Sequence, residues 1–425
     1  MEEVLVSKAK KMRDVPSIRF PGFKGSWSSV SLENATSKTI SYGIVQAGEH
    51  VEGGMPYIKS IDLNTALELD QLQRTSFAIA HKYRRSEVVP GDIVFSLRGN
   101  IGVSQIVPPS IEVANLTQGT ARISVSEDHL NLFMQLALQT EKIIKHVLAV
   151  MKGSTFQEIS LGDLRQVEVM VPTLPEQQKI AAFLSAVDAK VRQLTRKQAL
   201  LEQYKKGVMQ QLFSRQLRFK RKDGTPARGA SATKGKAYPE WEEKPVSSFL
   251  VERNVKSPKS DQYPLMSFVA YKGVTPKGDR YDREFLVNDG AGKPYKQTEY
   301  GDFIYSSNNL ETGSIGLNRH GSASISPVYS IFKVKESCDT HFISMYLVRR
   351  SFLNKMTTYR QGVIYGQWRI HESDFLNIHE EMPSLEEQQR IAGFLTALDA
   401  KVAAVGKEVE AAQRWKKGLL QQMFV

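Results

Sequence analysis

Residues 175–213 read PEQQKIAAFLSAVDAKVRQLTRKQALLEQYKKGVMQQLF, and residues 386–424 read EEQQRIAGFLTALDAKVAAVGKEVEAAQRWKKGLLQQMF. The register between them never slips. Glu176 answers Glu387, Asp188 answers Asp399, Tyr204 answers Trp415 and Gln211 answers Gln422, each pair offset by 387 minus 176, or 211 residues. Within the first stretch Ile180, Leu184, Val187, Val191, Leu194, Leu201, Val208 and Leu212 recur in alternating steps of four and three, with Gln198 and Lys205 interrupting. The copy keeps the phases with Ile391, Leu395, Leu398, Val402, Val405, Val409, Ala412, Leu419 and Met423, and has Lys416 where Lys205 stood. A seam sustained over about five heptads predicts a long helix packed on another helix. At about 1.5 Å per residue, each is a rod on the order of 58 Å. The natural partner of each rod is the other.

The surrounding chain has 425 residues, too many for one hydrophobic core. No run approaches the roughly 18 apolar residues of a membrane span, and the N-terminus MEEVLVSKAKKMRD lacks the apolar stretch of a signal peptide. A single cysteine, Cys338, excludes an internal disulfide framework and fits a reducing cytoplasm. The formal charge of +12 favours a polyanionic partner, most often nucleic acid.

The repeat extends beyond the rods. Gly91-Asp92-Ile93-Val94-Phe95-Ser96 answers Gly301-Asp302-Phe303-Ile304-Tyr305-Ser306, each a turn feeding an alternating strand. Ile101-Gly102 answers Ile315-Gly316, and Asp163-Leu164 answers Asp374-Phe375 before runs that end at Pro172 and Pro383. Near the two starts, Phe20-Pro21 with Trp27 answers Tyr238-Pro239 with Trp241, and the tryptophans read as core anchors. Between these landmarks residues 28–160 and 242–371 diverge. Each carries short β-rich runs and one helical piece, near 128–151 and 339–358, an α+β pattern. Ser214 to Ala237 holds eight Lys or Arg against one acid, Asp223, and reads as a solvated tether or as a segment lying along DNA phosphates. The expected organisation is a domain at 1–171, a helix at 172–214, a basic linker at 215–237, a second domain at 238–382 and a second helix at 383–425.

Catalytic signatures fail one by one. Gly273–Gly278 is followed by Asp279 rather than the lysine of a phosphate-binding loop. Gly290-Ala-Gly292 runs into Lys-Pro, which cannot open a helix in that register. The Pro-Pro of Val107-Pro108-Pro109-Ser110 lacks the polar and aromatic flanks that grip an exocyclic amine. The histidines show no paired metal spacing. No metal site and no cofactor site is expected in this chain.

Two divergent halves, each followed by Pro-x-Leu-x-Glu-Gln-Gln-(Lys/Arg)-Ile-Ala-x-Phe-Leu, resemble the specificity subunit of a type I restriction-modification enzyme. The motif is strongest at Pro172–Phe213 and Pro383–Phe424, with the Leu-Arg-Phe-Lys run at 217–220 after the first helix. The resemblance implies an α+β chain of two tandem α/β target recognition domains, with two helices forming an antiparallel coiled coil in a pseudo-twofold repeat. It implies that each domain reads one part of a split target on double-stranded DNA. The implied partners are two methyltransferase subunits and the restriction subunits that translocate and cleave DNA. S-adenosylmethionine, ATP and magnesium would then belong to those partners, and this subunit would be non-catalytic.

Base reading calls for forked donors and amides, Arg for guanine and Asn or Gln for adenine. In the first domain the candidates are Arg98, Asn100, Gln118, Arg122, Lys152, Ser154, Thr155 and Gln157; in the second they are Asn308, Asn309, Arg360, Gln361, Tyr365, Gln367 and Arg369. The polar faces Glu176, Gln177, Gln178, Gln210 and Gln211, with Glu387, Gln388, Gln389, Gln421 and Gln422, lie off the seam at matching phases and are candidates for partner docking. Tyr204 and Trp415 are expected to pack at the rods' ends. Two other readings fit the same residues: a coiled-coil adaptor with incidental charge, and a free-standing DNA-binding regulator.

Overall fold

The computed structural model describes residues 14–151, 157–221, 237–276, 294–364 and 367–425, with Val363, Ile364 and Gln367 described in backbone only. Packing divides the chain into two compact units. One comprises Met1–Lys197 with Val405–Val425, the other Gln198–Ala404. The division runs through both long helices, not at their ends.

The first unit is built on a four-stranded antiparallel sheet in the order Ser41–Tyr42, Thr120–Ile123, Ile93–Ser96, Ser104–Ile106. Strand Ile93–Ser96 is buried along its whole length. Ile93 and Phe95 enter a core shared with helices Asn131–Leu138 and Glu141–Val150, while Val94 enters a second core with Ile58, Leu63, Val88 and Leu116. A sheet covered on both faces explains why the strand is apolar at every position but Ser96. Ser28–Ser31 pairs antiparallel with Glu168–Val171 and brings the two ends of the domain together at the helix start.

The second unit repeats the plan. Its four-stranded antiparallel sheet runs Leu250–Glu252, Ser330–Val334, Phe303–Tyr305, Ile315–Leu317. Phe303 and Tyr305 face the helix-side core and Ile304 the other, as Ile93, Phe95 and Val94 do. Glu242–Pro245 pairs antiparallel with His379–Met382 and closes the domain. The single helical piece expected in each half is two helices. Thr140 breaks the first pair in extended backbone (φ −68, ψ 145), and Arg349 breaks Thr340–Tyr346 from Arg350–Thr358 in the same conformation (φ −65, ψ 146). The expected core anchors are core residues: Trp27 packs edge-on to Phe133 and Phe424, and Trp241 edge-on to Phe342 and Tyr346.

The central helix is Leu174–Phe213 and the C-terminal helix Leu385–Met423. In the first unit Lys416 Nζ lies 2.6 Å from Asp188 Oδ1, and Leu419, Met423 and Phe424 share a core with Leu184, Ala181 and Ile180. In the second unit Lys205 pairs with Asp399, and Val208, Leu212 and Phe213 share a core with Leu398, Leu395 and Ile391. Between the first pair and the second, one numbering rises as the other falls, so the helices run antiparallel. Each lysine that interrupts the seam is therefore held by an aspartate of the facing helix. Among the described residues no helix is long and apolar enough to cross a membrane.

A further correspondence escaped the sequence comparison. Arg19 and Phe20 match Arg218 and Phe219: each arginine forks onto the buried glutamate of a helix motif, Glu176 or Glu387. Phe20 meets Phe183 edge-on with centroids 5.6 Å apart, and Phe219 meets Phe394 at 5.4 Å. Lys179 lies over Phe20 and Arg390 over Phe219. Ile18 N donates to Gln422 O at 2.8 Å, as Leu217 N does to Gln211 O at 3.1 Å. The structural counterpart of Phe20 is thus Phe219, not Tyr238. In the second copy the basic linker is inserted between Phe219 and Trp241, which hid the match; its residues 222–236 lie outside the described residues.

Candidate nucleic-acid interface

In the first unit three segments converge at one end of the four-stranded sheet. Strand Ile93–Ser96 runs into Leu97, whose N–H donates to Gly119 O at 2.8 Å and whose carbonyl accepts from Ile159 N at 3.3 Å. Arg98, Gln118 and Gln157 are thereby brought to one neighbourhood. Gly99 turns the loop at φ +72, which a side chain would strain. Asn100 is fully engaged: its Oδ1 accepts from Ser96 Oγ at 2.8 Å, and its Nδ2 donates to Ser60 O and Asn64 Oδ1, both at 2.8 Å. Arg98 pairs with Glu158, both about two-fifths exposed, which orients the guanidinium at the rim. Gln157 is exposed and Gln118 half-buried. Lys152, Ser154 and Thr155 lie outside the described residues.

Arg122 is not a base-reading residue on this geometry. It is 7% exposed on the central strand, and its Nη1 and Nη2 donate to the carbonyls of Glu87 (3.0 Å) and Thr39 (3.3 Å). Burial lowers its pKa, against the opposing pull of Asp92 and Glu87. In the sequence Arg122 is a candidate as a forked donor two residues after Gly119-Thr120; the structure puts it on the buried strand Thr120–Ile123 instead.

The second unit assembles a similar edge. Asn309 is exposed and Asn308 half-buried on the turn after strand Phe303–Tyr305. Arg360 forks onto Glu311 at 2.5 and 2.8 Å, donates to Ser307 O at 2.8 Å, and lies 5.8 Å from the ring centroid of Trp368. That hydrogen-bonded pairing holds the Glu311 carboxylate below its ordinary pKa. Gln361 Nε2 donates to Asp374 at 2.8 Å. Trp368, which sequence reasoning passed over, is 44% exposed beside exposed Arg369 on strand Gln367–Arg369. An aromatic face with a neighbouring guanidinium suits base stacking and phosphate contact. Tyr365 and the side chain of Gln367 lie outside the described residues. Among the described residues no cluster of three or more His, Cys, Asp or Glu could hold a metal ion.

The docking candidates divide into two kinds. Glu176, Gln177, Glu387 and Gln388 are buried, at 1%, 1%, 0% and 2% exposure, and so cannot present a surface. Glu176 grips Arg19 through Nε and Nη2, both at 2.7 Å. Glu387 grips Arg218 at 3.1 and 3.0 Å and also accepts from Trp241 Nε1 at 3.1 Å. These forked, charge-assisted bonds raise the pKa of both arginines. Gln177 accepts from Leu130 N and donates to Pro172 O; Gln388 accepts from Asp339 N and donates to Pro383 O. Leu130 and Asp339 are the N-cap residues of Asn131–Leu138 and Thr340–Tyr346. The shared Glu-Gln pair therefore locks each domain onto its own helix. Gln178, Gln389, Gln210, Gln211, Gln421 and Gln422 are exposed. Tyr204 and Trp415 do not bury at the rods' ends: they are 53% and 55% exposed.

This two-copy plan is matched by a family model. The type I restriction modification DNA specificity domain aligns with residues 44–203 and again with 253–411. The chain belongs to the type I restriction-modification specificity subunit family. Within that family it is 30% identical over 158 residues to the EcoBI specificity subunit of Escherichia coli, covering 36% of this chain and 33% of that one. It is 24% identical over 262 residues to the MjaIX specificity subunit of Methanocaldococcus jannaschii, covering 60% and 59%. The alignments thus span about a third and about three fifths of those relatives. The type I specificity subunit of M. genitalium shares the fold with a TM-score of 0.54 at 15% identity, over 97% of this chain and 99% of that one.

Proposed function

We propose that this chain is the non-catalytic DNA-reading subunit of a cytoplasmic type I restriction-modification complex. Its two unlike domains read the two parts of a bipartite, asymmetric target on double-stranded DNA. The observation that carries this reading is the contrast within the repeat. The two helices keep one gapless register at an offset of 211 and the Glu-Gln lock recurs within it, while the loops at the sheet ends differ. Shared scaffold with divergent edges is what two different half-sites require. In this reading Arg98, Gln118, Gln157, Asn308, Asn309, Trp368 and Arg369 face DNA, mostly phosphates, since half or more of protein–DNA hydrogen bonds go to the backbone.

The exposed helix positions Gln178, Gln210, Gln211 and Tyr204, with Gln389, Gln421, Gln422 and Trp415, dock two methyltransferase subunits at equivalent places. Those subunits carry S-adenosylmethionine, and the restriction subunits carry ATP and magnesium. Methylome sequencing of cells expressing this chain with its methyltransferase is the test. A split, asymmetric methylated motif is expected, and replacing residues 28–160 with another domain should change only one half of it. A methylome unaltered by the chain would refute the reading.

A further inference from the structure

Away from the loop edge, the first unit holds a concavity of about 570 Å³ lined by Lys38, Thr39, Ser41, Tyr42, Arg84, Arg85, Arg122, Leu161 and Arg165. Five of the nine lining residues are cationic and none is acidic. Main-chain carbonyls hold its floor: Arg122 donates to Glu87 O and Thr39 O, and Arg165 Nη2 donates to Ile40 O at 2.7 Å. Arg84 and Arg85 stand exposed on one wall and Lys38 on another. Among the described residues none of the five cations forms an ion pair. The carboxylates that act on Arg122 are Glu87 and Asp92, and their effect is outweighed by its burial.

The second unit shows that the fold does not need this cluster. Strand pairing sets Arg122 opposite Val94 and sets Ile331 opposite Ile304, so Ile331 occupies the position of Arg122. The offset of 211 that relates Asp163 to Asp374 places Leu376 at the position of Arg165. Ile331 is fully buried and Leu376 packs against the helix-side core. Placing two guanidinium groups where apolar side chains serve equally well costs desolvation, and a bound anion would offset it.

We propose that this concavity is a phosphate-binding site of the first domain. Its ligand is a phosphate group, from a DNA backbone or a free phosphate. The backbone source rests on the DNA-reading role proposed above, while the phosphate chemistry stands without it. Arg122 and Arg165 preorganise the floor, and Lys38, Arg84 and Arg85 close on the anion.

The test uses the full chain and the exposed double variant Arg84→Gln/Arg85→Gln, whose melting temperature should match the parent. Duplex DNA is titrated at several salt concentrations by fluorescence anisotropy. Loss of a backbone contact lowers affinity alike for target and non-target duplexes and flattens the slope of log K against log[salt] by about one. In a second arm, inorganic phosphate is added during thermal melts. Stabilisation of the parent but not the variant, with duplex binding unaltered, assigns the site to free phosphate. If the parent binds no duplex yet responds to phosphate through these arginines, the site stands and the DNA-reading role falls. Equal duplex affinity and slope, together with equal phosphate response in parent and variant, would overturn the proposal.

Discussion

Lys416 Nζ lies 2.6 Å from Asp188 Oδ1, and the counterpart residues Lys205 and Asp399 form the same pair in the other unit. Each lysine occupies a seam position that a heptad repeat reserves for apolar side chains. A polar group there sacrifices some burial and fixes register, because sliding the helices by one turn would leave a half-buried charge without its partner.

Charge reversal separates register from stability. Asp188→Lys should cost about 1 kcal/mol or somewhat more, since it replaces a half-exposed attraction with repulsion. Adding Lys416→Asp should recover most of that loss. Denaturant titration of the two single variants and the double variant measures the coupling.

Removing Glu387 has a larger effect. Glu387→Ala would leave Arg218 without its buried carboxylate and Trp241 Nε1 without an acceptor. A loss of about 2 kcal/mol is expected, since Trp241 Nε1 loses its buried acceptor while Arg218 keeps the exposed Glu240 and two main-chain carbonyls. Gln389→Ala, two residues on and exposed, should change stability by less than about 0.5 kcal/mol. Equal effects in urea melts would show that Glu387 is not the lock described here.

His129 gives the first unit a pH dependence. Its Nδ1 is buried without a hydrogen-bond partner, and burial lowers its pKa from the ordinary 6.5, against the opposing effect of Asp128. The unfolded chain therefore takes up the proton first as pH falls. The associated stability is complete above about pH 6.5 and declines below it. Thermal melts between pH 7.5 and 5 should show a steeper decline for the parent than for His129→Gln.

Tyr204 and Trp415 report on docking. Both are more than half exposed, so Tyr204→Ala should leave the melting temperature within a few degrees. If the helix faces bind methyltransferase subunits, the paired change Tyr204→Ala/Trp415→Ala should weaken that binding at least tenfold in sedimentation or calorimetry. Unchanged affinity would move the dock elsewhere.

The helices, the repeat and the central strands were legible because their signals are periodic and local. Ile180 to Leu212 announces a seam without reference to any other residue. The Glu-Gln-Gln motif was legible as a repeat, but its first two residues were misread as a surface. Repetition at one phase says that both copies meet the same kind of neighbour, not whether that neighbour lies inside the chain. Arg19, the partner of Glu176, is 157 residues away and carries no mark of the pairing. Arg122 failed for a different reason: residue type marks a possible base reader, but not whether the position lies on a loop or, as here, on a strand buried on both faces. The cations of the basic concavity come from four separate segments, of which only the doublet Arg84-Arg85 is visible in the sequence.

The bond from Ile18 N to Gln422 O gives the chain a topology that its linear numbering conceals. The opening residues sit against the end of the last helix as Leu217 sits against the end of the first, where the chain simply continues. In topological terms the segment that precedes each domain is seated on the end of the helix that follows the other domain. Which domain is synthesised first is therefore incidental to the native contacts. Joining the present ends with a short linker and opening the chain within 222–236 should yield a protein with the same cores, the same locks and the two domains in reversed order.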